Sequence, residues 1–509
     1  MAIDAQPALF LFLLLLFPLL LFVIKKAVQK PKKNLPPSPP KLPFIGNLHQ
    51  LGSLPHQSLC QLSKKYGSVM LLHLGYVPTV VVSSAEAARE VLKVHDLSSC
   101  SRPSLDGPRK LTYNYLDLAF SPYGEYWREI RKICVLELFS VKRVLSYRSI
   151  REEEVTKLIN SISNHSSSSP GTPVNLTDKL YALTAEIIFR IAFGTTFQGS
   201  DFAQEKFHDV VLEAEATLGG FSAAEYFPYV GWIVDKISGL QQRRERVFHE
   251  LDHFFQRVID DHLSPERTKQ EHEDIIDVLL KIVKEQTGFG AALLTEKNIK
   301  AVLLNMFLGG VDTGAITMEW AMAELAKRPS LMKKAQDEVR TRIGNKGKVS
   351  ESDIDQFPYL KMIVKETFRL HPPAPLLLPR ETISHFTVNG YEIQPKTILQ
   401  VNAWAIGRDP SCWKDPEEFI PERFMDSSID FKGQHFELLP FGSGRRVCPA
   451  IYLGTTTVEL GLANLLYSFD WKLPDGIKEQ KDINMDEAAG LSLTVSKKTA
   501  LNLVPEKHL

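Results

Sequence analysis

From Glu296 to about Lys327 the chain carries one unbroken helical pattern, with Thr295 placed to cap its start and Pro329 to end it. At 1.5 Å per residue, some 30 residues make a rod of roughly 45–50 Å, long enough to cross a whole domain. In its middle stands GGVDTG, residues 309–314. A glycine inside a helix costs about 1 kcal/mol relative to alanine, so two in succession need a reason. Close packing against another helix is one. The other is a bulky group that approaches the backbone beside Asp312 and Thr313.

The 509 residues carry 60 basic and 60 acidic side chains, a balance that gives no sign of a nucleic-acid surface. With 44% apolar and 24% charged residues there is ample material for a core. Length alone would allow about three domains, but large single-core proteins break that rule. The five cysteines, Cys60, Cys100, Cys134, Cys412 and Cys448, are odd in number, widely spaced and free of any C-x-x-C. They form neither a disulfide framework nor a zinc site and point to a reducing compartment. Taken singly, each reads first as a small buried hydrophobe.

Residues 8–24, ALFLFLLLLFPLLLFVI, contain no charge, and a membrane-spanning helix takes about 17–25 such residues. Lys25, Lys26, Lys30, Lys32 and Lys33 follow the run while Asp4 precedes it, the reverse of a cleaved signal peptide. The positive-inside rule then leaves the N-terminus outside and the bulk of the chain in the cytosol. Residues 1–26 are therefore expected to be a single-pass anchor. Residues 27–47 are a basic, proline-rich hinge, stiffened through LPPSPPKLPFIGN, and 48–509 one large domain. TVVVSS (79–84) reads as a strand, SAEAAREVLKVH (84–95) as a helix and NHSSSSPGTP (164–173) as a solvated loop. FPYVGWIV (227–234) leaves two readings open, a loop that dips into a membrane or ordinary packing.

FGSGRRVCPA, Phe441 to Ala450, sets the lone thiol of Cys448 just beyond two arginines on a glycine-broken turn. Nearby positive charge and a metal both favour the thiolate. Upstream, KETFRLHPP (365–373) puts Glu366 and Arg369 three apart on one helix face, ordinarily a surface pair of small value. PERF (421–424) adds Arg423, and Trp127 with Arg131 form W-x-x-x-R. Each signal is weak alone. Their order is anchor, proline spacer, W-x-x-x-R, G-G-x-D-T, E-x-x-R, P-E-R-F and F-x-x-G-x-R-x-C. In that order the chain resembles the cytochrome P-450 superfamily of haem-thiolate monooxygenases. It looks most like the plant microsomal (A-type) members, given PPSPPKLPFIGN and LHPPAPLLLPRE, and the resemblance covers essentially all 509 residues.

The resemblance implies the cytochrome P-450 fold, mainly α with small β-sheets, with residues 48–509 as one haem-thiolate catalytic domain. It implies heme b, its iron axially ligated by Cys448, since a thiolate pushes electron density that favours O–O cleavage. Phe441 and Gly444 belong to the cofactor-binding loop, and its glycines let backbone N–H groups face the sulfur. Trp127, Arg131, Arg380 and Arg446 become partners of the haem carboxylates, which need cations if buried. For Arg445, a place near a docking reductase and a plain surface arginine stay equally open. Glu366, Arg369 and Arg423 become a structural charge triad. Thr313 and Asp312 become the alcohol and acid of proton delivery, with Gly310 leaving room for oxygen by loosening the helix.

Four positions depart from the family pattern: Ser38, Gly309, Gly314 and Ala450, of which the two glycines bear on water access and coupling. The expected partners are dioxygen, a hydrophobic small molecule, the membrane, a separate NADPH–cytochrome P-450 reductase and, as an optional donor, cytochrome b5. The expected place is the endoplasmic-reticulum membrane, single-pass, with the catalytic domain facing the cytosol. The substrate expectation is a plant specialised metabolite, a terpenoid first, then an alkaloid or phenylpropanoid, with the 100–120 loop, Asn305, Gly309 and Ala374 to Leu378 lining its pocket. The rival expectation is a haem-thiolate isomerase or dehydratase of lipid hydroperoxides that needs no reductase; the Asp312–Thr313 pair argues against it.

Overall fold

The structure, a computed structural model, describes residues 34–196, 207–267, 272–285, 294–477, 479–490 and 492–508. The expected anchor and the lysine-rich start of the hinge lie outside the described residues. From residue 37 the proline segment is tied down instead of standing off as a spacer. Leu71 N donates to the Pro37 carbonyl, and Asn47 Nδ2 donates to the carbonyls of Pro39 and Pro40.

That segment lies along a four-stranded sheet. β1 (Val69–Leu74) pairs antiparallel with β2 (Val77–Val82). β2 pairs parallel with a distant strand, Ile398–Val401, which in turn pairs antiparallel with Arg380–Glu381. Val80, Val81 and Val82 are all buried, because Val80 and Val82 face one apolar cluster and Val81 another. A strand covered on both faces has no polar side to show.

The remainder is mainly helical. α1 (Glu125–Ile133), α2 (Arg148–Ser168), α3 (Leu176–Phe193) and α4 (Phe207–Gly219) precede the long α5 (Glu296–Lys327). α6 (Pro358–Leu370) and α7 (Ile451–Ser468) follow it. The polar run 164–173 is only half a loop: Asn164–Ser168 finish α2, held by a hydrogen bond of 2.8 Å from Ser166 Oγ to the Pro505 carbonyl. The expected helix over 84–95 starts at Ala85 behind the Ser84 cap and changes to a π turn over Glu90–Val94.

α5 has the expected bounds, and its capping box joins Thr295 to Asn298. It is long and apolar enough to cross a membrane, but most of it is buried in the core. A helix that is apolar on every side belongs there. α3 runs antiparallel against it, with Ile188 at Gly310, Thr184 at Gly314 and Thr177 at Glu319.

Behind this pair, Arg369 on α6 donates through Nε and Nη2 to Glu366 at 2.8 and 2.7 Å, and both side chains are fully buried. Arg423 Nε adds a bond of 2.9 Å to the same carboxylate. Arg369 also donates to the carbonyls of Gly407, Pro416 and Glu418. The pair that looked like a surface contact therefore pins the 407–418 segment to α6.

Candidate active site

The loop before α7 is shaped by backbone demands. Gly442 and Gly444 have φ of +67° and +70°, a region that side chains rarely adopt. A Cβ on Gly444 would also lie 2.2 Å from the Leu92 carbonyl oxygen. The turn closes with Cys448 N donating to the Phe441 carbonyl at 3.0 Å, and the Phe441 ring packs edge-on to Phe368 at 5.2 Å. Arg131 Nη2 donates to the Val447 carbonyl at 2.6 Å. Ala450 is the N-cap residue of α7, where its methyl is accommodated. Burial raises the Cys448 thiol above its ordinary range, while the Ala450 N–H and the Arg131 charge pull it down.

Cys448 forms one wall of a cavity of about 360 Å³, and Gly309, Gly310, Thr313 and Gly314 of α5 form another. Among the other walls are Leu118, Ala119 and Phe120 of the 100–120 loop, Asn305, and Ala374, Leu377 and Leu378, as expected from the sequence. Arg131, Arg380 and Arg446 line it too, joined by Arg102, which sequence reasoning did not single out. Burial, with repulsion from Arg380 and Arg131, lowers Arg446 to about 9 despite the nearby Cys100 and Asp117. Burial lowers Arg102, Arg131 and Arg380 as well.

So much buried positive charge beside a thiol, partnered mostly by carbonyls, calls for an anionic ligand. Among the described residues Asp96 is the one carboxylate in an ion pair with this group, at 2.8 Å from Arg380 Nη1. A metal chelate with two carboxylates fits that donor set. Trp127 does not line the cavity. Its Nε1 donates to the Leu118 carbonyl at 3.0 Å and its ring lies 4.0 Å beneath the Arg446 guanidinium, so it supports that arginine. Arg445 is half exposed and pairs with Asp96 at 3.3 Å.

On α5 the two glycines divide the two roles that the sequence left open. A Cβ on Gly310 would strike Ile188 Cδ1 at 2.4 Å, whereas one on Gly309 meets nothing within 4 Å. Gly310 thus permits close packing against α3 while its backbone still lines the cavity, and Gly309 faces open space. The helix is not broken there: Thr313 Oγ1 donates to the Gly309 carbonyl at 2.7 Å.

Asp312 turns away from the cavity and is buried. Tyr181 Oη of α3 donates to its Oδ1 at 2.9 Å, and Thr494 Oγ1 donates to Oδ2. Neither hydroxyl was read from the sequence. Nor was Glu215 of α4, a buried carboxyl in the cavity wall.

With this geometry in view, three comparisons agree. The Cytochrome P450 family model matches residues 36–501. Cytochrome P450 71B35 of Arabidopsis thaliana is 59% identical over 478 residues, 94% of each chain. Cytochrome P450 71B37 of the same plant is 57% identical over 500 residues, 98% of this chain and 99% of its own. A zebrafish cytochrome P450 solved with abiraterone superposes with a TM-score of 0.75 over 90% of this chain and 100% of its own, at 24% identity, which speaks for the fold alone.

The chain belongs to the cytochrome P-450 family. It is a haem-thiolate monooxygenase, built for a cysteine-ligated haem, dioxygen, an organic substrate and electrons from a reductase partner.

Proposed function

We propose that this monooxygenase oxidises a hydrophobic plant specialised metabolite, a terpenoid first and an alkaloid or phenylpropanoid next. The observation that carries the reading is one largely apolar cavity with Cys448 at one wall and Thr313 at another. Cys448 would hold the iron through its sulfur, and Arg131, Arg380 and Arg446 would hold the two carboxylates. The bound haem supplies the oxygen-activating chemistry. Thr313 holds its proton at Oγ1 inside the cavity, and Asp312, oriented by hydrogen bonds from the Tyr181 and Thr494 hydroxyls, would lie on the route by which solvent replaces that proton. Asn305 fixes the opposite wall by accepting from Leu118 N and Ala119 N at 2.9 and 3.1 Å. Glu366, Arg369 and Arg423 act structurally. Residues 48–509 work as one catalytic domain.

The same proposal puts the protein on the endoplasmic-reticulum membrane as a single-pass protein facing the cytosol, served by the NADPH-dependent reductase and optionally by cytochrome b5. Support comes from the uncharged run 8–24 with lysines behind it. It also comes from an apolar surface: Tyr229 is 81% and Ile237 82% exposed, with Val230, Trp232 and Val234 exposed between them. Tyr76 N bonds Tyr226 and Gly75 N bonds Ile45, so exposed Leu42 and Phe44 adjoin that surface. Contiguous exposed apolar area of this kind marks a membrane or partner surface.

The test is product formation in membranes with a plant reductase, NADPH and labelled dioxygen, against a panel of terpenoids, alkaloids and phenylpropanoids. A product carrying one labelled oxygen supports the reading. Consumption of a lipid hydroperoxide without NADPH would replace it with the isomerase. Thr313→Ala should keep NADPH consumption while product per NADPH falls about 10-fold or more; an unchanged ratio would remove Thr313 from proton delivery.

A further inference from the structure

Glu215 stands where an apolar residue would be expected. On α4 the buried residues Val211, Ala214 and Leu218 mark the stripe that faces the core at i, i+3 and i+7, and Glu215 takes the i+4 place of that pattern. Its side chain is 5% exposed and lines the cavity together with Leu218, Thr313 and Gly309. Its Oε2 has no hydrogen-bond partner. Burial pushes the carboxyl far up, the Asp312 carboxylate adds to this, and a hydrogen bond from Ser492 opposes it. No basic side chain forms an ion pair with it among the described residues. The arginines that line the cavity, Arg102, Arg131, Arg380 and Arg446, interact instead with Asp96, Asp117 and each other.

The cavity wall therefore carries two polar sets that do not interact. One is cationic and belongs with the haem carboxylates. The other is Glu215, with Asp312 as its charged neighbour and no cation. A buried carboxyl oxygen with no donor costs about 1–3 kcal/mol, and a buried acid without a counter-charge is held neutral. A ligand that brings a donor N–H and a positive charge relieves both costs at once.

We propose that Glu215 is the polar anchor of the substrate cavity and selects hydrophobic molecules that carry a basic, protonated nitrogen. The proposal rests on the reading of this cavity as the substrate site of a haem-thiolate enzyme. It reorders the substrate classes named above, putting an amine-bearing metabolite ahead of a nitrogen-free terpenoid. The anchor's proton leaves with solvent as the ammonium enters, and the ammonium N–H then donates to Oε2. Asp312 keeps its two hydroxyl donors, so it stays committed to α3 and the C-terminal loop.

The experiment uses the haem-loaded full chain in detergent and two isosteric probes. N,N-dimethylbenzylamine is protonated throughout the neutral range, and isobutylbenzene replaces its nitrogen by carbon. Calorimetric affinities are measured for the wild type, Glu215→Gln and Glu215→Asp, each first checked for the reduced carbonyl absorbance of a thiolate-bound haem. The expected result is at least a 10-fold preference of the wild type for the amine. Glu215→Gln should abolish that preference and leave isobutylbenzene affinity within 3-fold, and Glu215→Asp should keep part of it.

Equal wild-type affinities for the two probes would overturn the anchor whether or not the variants fold. A preference that survives Glu215→Gln would report nitrogen on iron and overturn it too. Absence of the thiolate-haem absorbance in the wild type would instead sink the reading of the cavity itself.

Discussion

Gly309 and Gly310 are neighbours of one residue type, yet the same substitution should move stability in opposite directions. A methyl on Gly310 would lie 2.4 Å from Ile188 Cδ1 and 2.8 Å from its Cγ1, against about 3.5–4.0 Å for carbons in contact. Ile188 is 4% exposed, so its side chain must shift by about 1 Å in a closed core, at about 1–3 kcal/mol. Alanine returns about 1 kcal/mol of helix propensity. Gly310→Ala should therefore destabilise by about 0–2 kcal/mol. Gly309→Ala meets no atom within 4 Å and keeps only the propensity gain of up to about 1 kcal/mol. Urea unfolding of the haem-loaded full chain, followed by tryptophan fluorescence, measures both. Ile188→Val, which removes Cδ1, should cost about 0.5–1.5 kcal/mol alone and clearly less in the Gly310→Ala background. If Gly310→Ala is as stable as Gly309→Ala, or if the double variant is additive within about 0.3–0.5 kcal/mol, the division of roles between the two glycines is wrong.

Two further outcomes follow from buried charge. Glu366→Gln strands the fully buried Arg369 and the nearby Arg423, and removing one partner of a buried pair costs about 3–5 kcal/mol; the yield of haem-loaded protein should collapse, and a loss below about 1 kcal/mol would deny the triad its role. Glu487 has its pKa lowered from 4.5 to about 2: burial raises it, but hydrogen bonds and charge from His56, with Gln57 and Trp404, outweigh that. An acid whose folded pKa lies below its unfolded one contributes stability in full above about 4.5 and loses it as pH falls towards about 2. At 1.36 kcal/mol per unit the contribution is about 3 kcal/mol. Glu487→Gln should thus be weaker than wild type at pH 7 and converge with it near pH 2, and a deficit independent of pH would refute the linkage.

What the sequence makes readable is local chemistry. Thr295 and Pro329 are enough to bound α5, because caps and breakers act within four residues. The turn holding Cys448 is readable because its glycines sit beside the ligand they serve. The i, i+3 spacing of Glu366 and Arg369 places them on one face, but the three loop carbonyls that accept from Arg369 come from residues 407–418. Their burial could not be foreseen from spacing. Tyr181 and Thr494 reach Asp312 across 131 and 182 residues of chain, and nothing local marks either one.

The packing role of Gly310 was hidden for the same reason: the atom that forbids its side chain is on α3, more than a hundred residues away. Asn164–Ser168 look like loop because serine is indifferent to helix, and the bond that settles them comes from Pro505. Glu215 is different. The sequence VVLEAEATLGG does carry its signal, since Glu213 and Glu215 cannot both face solvent on a helix whose Val211, Ala214 and Leu218 face inward. Glu213 takes the outer face and pairs with Arg246. Periodicity alone therefore sends Glu215 into the core. A carboxyl sent there against its desolvation cost, into the cavity wall and without an arginine acting on it, is placed where a ligand can meet it.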